Sequence, residues 1–134
     1  PAAAAGIRRS VMPNAENINV VLVSRRPEAW RACTQELRAG GCGLSEVADL
    51  EACKARLRAD PPRLILLDPA PDEDVRRSVM ELLMIDARTH TAVASALDPE
   101  AFHEAMEGLG ILDCLPLTPG ADDARRLLRL LAEV

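Results

Sequence analysis

Aromatic side chains are nearly absent from this chain of 134 residues, which has one tryptophan, one phenylalanine and no tyrosine. A hydrophobic core must therefore be built from leucine, valine, isoleucine, alanine and methionine. Hydrophobic residues make up 49% of the sequence and charged residues 28%, which is the balance of a globular protein. Because domains commonly have roughly 100–150 residues, we predict a single globular unit.

Lysine is also nearly absent, and basic residues are outnumbered by acidic ones. Sixteen basic residues against 21 acidic ones give a net charge of −5, and Lys54 is the single lysine. Nucleic acids and anionic membranes are usually bound by clustered positive charge. No apolar run approaches the roughly 20 residues that a membrane span requires. We therefore expect no direct nucleic-acid binding by this domain and no membrane partner.

The motifs of common cofactor, metal and hydrolase sites are missing as well. The four cysteines form no C-x-x-C pair and have no histidine pair nearby, which argues against zinc. The dinucleotide, P-loop and serine-hydrolase patterns do not occur. Residues 1–17 lack the apolar core of a signal peptide, and free thiols are typical of the cytoplasm. We expect a cytoplasmic protein that is not an enzyme and has no cofactor and no bound metal.

Regular patterning begins at Ile18. Residues 1–17 show no sustained period and are predicted to be a flexible N-terminal leader, whereas residues 18–134 contain five strand-like segments, each followed by a helical period. The predicted strands are 18–24, 44–47, 63–68, 91–95 and 111–115, and the predicted helices begin near Pro27, Asp49, Asp72, Asp98 and Asp122. This (βα)₅ alternation predicts an α/β domain with a parallel sheet covered by helices on both faces.

Three polar residues stand where predicted strands end. Ser24, Asp68 and Ser95 follow the first, third and fourth strands. In a doubly wound sheet, functional groups lie in the crevice at the carboxyl ends of the strands. We therefore predict a functional site at this edge of the sheet.

Two of these strand ends resemble a known family. The segment 64–68, LILLD, resembles the third strand and phosphoacceptor aspartate of the receiver domains of bacterial response regulators, and Ser95-Ala96 resembles their Ser/Thr-Ala pair. Residues 110–115 also resemble the family's run into its fifth strand. Across residues 18–134, this resemblance implies a CheY-like, flavodoxin-like fold with strand order 2-1-3-4-5. It also implies that Asp68 is the phosphoacceptor-equivalent and Ser95 the switch hydroxyl.

The chain departs from the family at the residues that assist phosphorylation. The acidic pair that binds Mg²⁺ falls on Ser24 and Arg25, and the phosphate-binding lysine falls on Leu117. In the family, the metal neutralises the incoming phosphoryl group so that the aspartate can attack it. We therefore predict a degenerate pseudo-receiver with no efficient phosphorylation of Asp68. Arg25 either reaches Asp68 as a built-in cation or points into solvent.

The resemblance implies a signalling and protein-interaction domain of a two-component system. Its partner would be another protein or a histidine kinase, bound by the face that the fourth helix, fifth strand and fifth helix form. On this face we expect Phe102, Met106, Arg125, Arg126 and Arg129. The arginines are otherwise a solvated stripe, and Ser95 is otherwise an ordinary turn residue.

The last helix also favours a homodimer, because four of its leucines cover more than a narrow core stripe. They are Leu127, Leu128, Leu130 and Leu131. Two alternative functions stay open at this point. One is a conventional phosphorelay receiver phosphorylated on Asp68, and the other is a small flavodoxin-like enzyme or ligand-binding domain.

Overall fold

The structure, a computed structural model, describes residues 18–134; the predicted leader at residues 1–17 lies outside this range. Five strands alternate with five helices. The strands are β1 (Asn19–Val23), β2 (Gly43–Val47), β3 (Leu64–Leu67), β4 (His90–Ala94) and β5 (Asp113–Leu115). The helices are α1 (Arg31–Ala39, after a 3₁₀ turn at Pro27–Trp30), α2 (Leu50–Ala59), α3 (Val75–Ile85), α4 (Pro99–Ala105) and α5 (Ala121–Glu133).

The five strands form one parallel sheet with the order β2-β1-β3-β4-β5, which confirms the predicted fold. β3 lies at the centre, and all four of its residues are buried. A parallel strand with helices on both faces has no solvent side, which explains why its sequence is continuously apolar. The register pairs Val23 with Leu67, so the residues that follow β1 and β3 emerge side by side.

Two separate layers of core cover the sheet. Alternate residues of β1 point to opposite faces, so Val20 and Leu22 belong to one layer and Val21 and Val23 to the other. The first layer is completed by α1 and α5, and the second by α2, α3 and α4. Within residues 18–134, every helix is too short or too polar to span a bilayer.

Some element boundaries differ from the sequence prediction. α3 begins at Val75 rather than near Asp72, because the Asp74 carboxylate accepts the Arg77 N–H at 3.1 Å and caps the helix there. β5 has three residues rather than five. The chain turns at Gly110, whose φ of +66° suits glycine, and strand pairing starts only at Asp113.

Candidate functional site

The candidate site is centred on Asp68, which stands directly after β3. The adjacent ends of β1 and β3 place Ser24 beside it, and the Asp68 N–H donates to the Val23 carbonyl oxygen at 2.9 Å. The Ser24 hydroxyl donates to Oδ2 of Asp68 at 2.7 Å. The Asp68 side chain is only 4% exposed, so it depends on protein groups for its hydrogen bonds.

An arginine side chain binds the other carboxylate oxygen of Asp68. Nη2 of Arg26 lies 3.0 Å from Oδ1 of Asp68 and donates also to the Leu117 carbonyl oxygen at 2.6 Å. The Arg26 N–H donates to the Ser24 hydroxyl oxygen at 3.0 Å, which turns the chain back over the strand end. Ser24, Arg26 and Asp68, with the Leu117 carbonyl, are called the Asp68 cluster below.

The Asp68 cluster does not fit a Mg²⁺ ion. Hard divalent cations require several oxygen ligands, mostly carboxylates and water. Here the carboxylate is shared between a hydroxyl and a guanidinium, and the guanidinium would repel a metal. Across the part of the chain that the structure describes, no group of three or more histidine, cysteine or acidic side chains is placed to hold a metal ion.

The cation on Asp68 is Arg26, whereas Arg25, for which the sequence leaves this contact open, does not reach Asp68. Arg25 is exposed and lines a neighbouring cavity. The backbone bends at Arg25, and the bond from the Arg26 N–H to the Ser24 hydroxyl holds this bend, so Arg26 returns to Asp68 while Arg25 does not. A serine whose hydroxyl bonds to the backbone two residues later is a common turn motif, and Ser24 is the sequence signal from which this turn could have been found.

The positions of the family's lysine and switch hydroxyl differ in whether they contact Asp68. Leu117, at the lysine position, is 45% exposed, and its backbone carbonyl rather than its side chain joins the cluster. The Ser95 hydroxyl accepts the Leu97 N–H at 3.1 Å, while the Ser95 N–H donates to the Leu115 carbonyl. The structure thus brings Ser24 and Leu117 to Asp68 and leaves Ser95 bonded within its own turn.

The predicted contact face is less apolar than its sequence suggested. Phe102, expected there as a surface residue, is 4% exposed, because α4 turns this ring into the core layer that also contains Val93 of β4. Met106 is half-buried against the same core. On α5, Leu127 and Leu131 are buried in the opposite layer.

Two arginines of this face already have partners. Arg125 pairs with Glu36 at 3.1 Å and also with Asp122. Arg126 lies 2.8 Å from both Asp113 and Asp123, which ties α5 to β5. In residues 18–134, Arg129 is exposed and makes no ion pair.

A cavity of about 540 Å³ opens beside the Asp68 cluster. It lies outside the carboxyl ends of β1 and β3, where doubly wound sheets commonly place a ligand. Its lining residues lie at the end of β1, at the start of α2 and in the segments that follow β1, β2, β3 and β5: Val23, Arg25, Arg26, Ala48, Asp49, Leu50, Asp68, Pro69, Ala70, Pro71, Glu73 and Leu117.

No model of a known protein family matches the chain, and no curated protein matches its sequence. Solved structures do match its fold. A putative response regulator from Chloroflexus aurantiacus is 16% identical with a TM-score of 0.71, covering 86% of this chain and 98% of its own. The chemotaxis response regulator CheY4 of Vibrio cholerae is 14% identical, with a TM-score of 0.73 and coverage of 85% and 98%.

The signal receiver domain of the putative response regulator NarL from Mycobacterium tuberculosis is 19% identical, has a TM-score of 0.71, and covers 87% of this chain and 98% of its own. The high coverage on both sides means that the domain from β1 to α5 is matched as a whole. The resemblance drawn from the LILLD segment is therefore confirmed as a resemblance of fold: the chain has the CheY-like, flavodoxin-like fold of receiver domains.

Proposed function

We propose that this chain is a receiver-like signalling and protein-interaction domain of a two-component system, and that it acts without phosphorylation of Asp68. It would work in the cytoplasm, as a non-enzymatic module. The receiver fold supports the general role. The observation that supports independence from phosphate is the Asp68 cluster, in which both carboxylate oxygens are already bonded within the protein.

The cluster makes Asp68 a poor nucleophile toward a phosphoryl donor. Opposite unit charges about 4 Å apart attract by about 4 kcal/mol at an effective dielectric constant of about 20, although desolvation and ordering offset much of this. To react, Asp68 must release Arg26 or Ser24 and meet an anionic donor with no metal to neutralise it. Each of these requirements slows the reaction.

The proposed partner is another protein or a histidine kinase, bound on the face formed by α4, β5 and α5. Arg129 is the arginine of this face that is exposed and makes no ion pair within residues 18–134, and Met106 is its half-buried apolar residue. Since Arg125 and Arg126 are paired and Phe102 is buried, recognition would depend on Arg129 and Met106 more than on the other three positions.

Phosphorylation is tested with acetyl phosphate and Mg²⁺, followed by intact mass measurement. We expect the wild-type protein to gain no phosphoryl group, as does the control Asp68→Asn, which has no carboxylate to label. Rapid, near-stoichiometric labelling of the wild type that disappears in Asp68→Asn would overturn the proposal. It would establish the conventional phosphorelay receiver instead.

A further inference from the structure

We propose that the cavity beside the Asp68 cluster binds a small organic acid with an apolar body, whose carboxylate is held by Arg25. This binding function goes beyond the proposed signalling role and does not require it. Three features of the cavity support it: its size, its apolar walls and an arginine, Arg25, that is free of other bonds.

The size and walls of the cavity suit a small molecule. Its volume of about 540 Å³ falls within the range of roughly 300–1,000 Å³ that is typical of ligand sites. Most of the wall is apolar, and it includes Leu50, Pro69, Pro71 and Leu117. Two prolines in one wall keep the backbone there stiff, so a ligand would meet a largely preformed surface.

The acidic residues of the cavity wall are already bonded. Glu73 accepts the Ala70 N–H at 3.0 Å through Oε1 and the Ser78 hydroxyl at 2.6 Å through Oε2. Asp49 caps α2 by accepting the Ala52 N–H at 2.9 Å. Asp68 is bonded through both oxygens to Ser24 and Arg26, and Arg26 balances its charge, whereas Asp49 and Glu73 are bonded to uncharged donors and keep theirs. Selection of an acid therefore depends on direct contact with Arg25.

Arg25 is the charged wall residue without such a bond. Within residues 18–134, its guanidinium makes no hydrogen bond and no ion pair, and the exposed side chain lines the cavity. A guanidinium has a planar set of donors that matches a carboxylate in a bidentate pair.

The proposal is tested with three probes that share one apolar body. They are 4-phenylbutyrate, 4-phenylbutan-1-ol and 4-phenylbutylamine, titrated into residues 1–134 by calorimetry without Mg²⁺ or phosphodonor. We expect the acid to bind with a Kd of about 1 mM or tighter, as few-atom ligands do, and at least about tenfold more tightly than the alcohol. The amine should bind no better than the alcohol.

Two variants and a control locate the binding. Arg25→Gln should weaken binding of the acid by about ten- to a hundredfold while leaving the alcohol unchanged, because it removes only the charge-assisted bonds. Ala48→Phe, at an exposed wall position, should fill the cavity and weaken both. Arg58→Gln, at an exposed arginine outside the cavity, should change neither.

Equal affinity of all three probes, or an acid affinity that Arg25→Gln leaves unchanged, would overturn the inference. Because no phosphate is present in these titrations, their outcome is independent of the acetyl phosphate experiment. Either proposal can therefore fail while the other stands.

Discussion

At the scale of single residues, Asp68 is a buried carboxylate with two side chains bonded to it. Ser24 and Arg26 come from one short turn after β1, and each reaches a different oxygen of the carboxylate. Buried carboxylates require such partners, since an uncompensated buried charge is strongly destabilising. The cluster therefore bears on stability as well as on reactivity.

Replacing Arg26 by glutamine should destabilise the fold by about 1–3 kcal/mol, because Asp68 loses its cation while staying buried. The cost stays below that of a fully buried pair, since the Arg26 side chain is 38% exposed. Urea unfolding measures it, with Arg31→Gln, at an exposed arginine of α1, as the control. The double variant with Asp68→Asn should lose less than the sum of the single losses; strict additivity would show that the two side chains are not coupled.

Buried thiols should make the fold sensitive to alkali. Burial raises the pKa of Cys33 to about 12, with the nearby Asp123 carboxylate contributing, and burial raises the pKa of Cys42 and Cys53 to about 11. Folding therefore favours the protonated thiols. Their contribution is complete below the ordinary pKa of 9.0 and is lost as the pH rises toward 11–12.

We expect the free energy of unfolding to fall between about pH 9 and pH 11, as measured by urea titration at each pH. The fall should be smaller in Cys42→Ala than in the wild type after both curves are aligned at pH 7. Identical pH profiles for the two proteins would assign the alkaline loss to other groups.

At the scale of elements, three helices start at an aspartate. Asp49, Asp74 and Asp98 each accept the backbone N–H three residues later, at 2.9, 3.1 and 2.8 Å. The starts at Asp49 and Asp98 could be predicted, because each is followed at once by a helical pattern. The third helix begins at Val75, three residues after the predicted start at Asp72, since the DED run at 72–74 offers several possible caps and local propensity does not distinguish them.

The cap of α4 should be the most informative to remove, because this helix has only seven residues. Asp98→Ala should cost about 1 kcal/mol of stability, within the range of about 0.5–2 kcal/mol for lost N-caps. Thermal or urea unfolding checks it. Glu104→Ala, at an exposed position of the same helix, is the matched control and should stay within about 0.5 kcal/mol of wild type.

At the scale of the whole molecule, the fold followed from the alternation of strand and helix patterns together with the family resemblance. The continuous apolar segment at 64–67 correctly indicated a central strand. The sequence did not indicate which side chains contact one another in the folded domain. The choice of Arg26 over Arg25, and the inward packing of Phe102, depend on backbone direction at strand ends and on packing against β4.

The distribution of apolar surface also differs from the prediction. Leu127 and Leu131 of α5 are buried, whereas Met80 and Met84 of α3 are exposed, Met84 by 85%. The helical period of α5 was visible in the sequence, but the depth at which it packs depends on α1 lying beside it. Less of α5 is therefore left for a second copy of the chain.

The homodimer through α5 that the sequence predicts would depend on Leu130, which is half-buried on this helix. We expect sedimentation at high micromolar concentration to detect dimers that Leu130→Glu weakens at least tenfold. Met84→Glu on α3 is the control and should leave association unchanged. A strict monomer would exclude the homodimer, and a loss of association only in Met84→Glu would place the interface on α3.

The link that Arg26 makes between Asp68 and the Leu117 carbonyl has a consequence for how such a module carries information. This link joins the segments that follow β1, β3 and β5 through side-chain and backbone atoms of the protein. With no covalent mark to add or remove at Asp68, as proposed above, every copy would be in the same signalling state from the moment it folds. The signal would then be set by the abundance of the protein, and so by the rates of its synthesis and degradation.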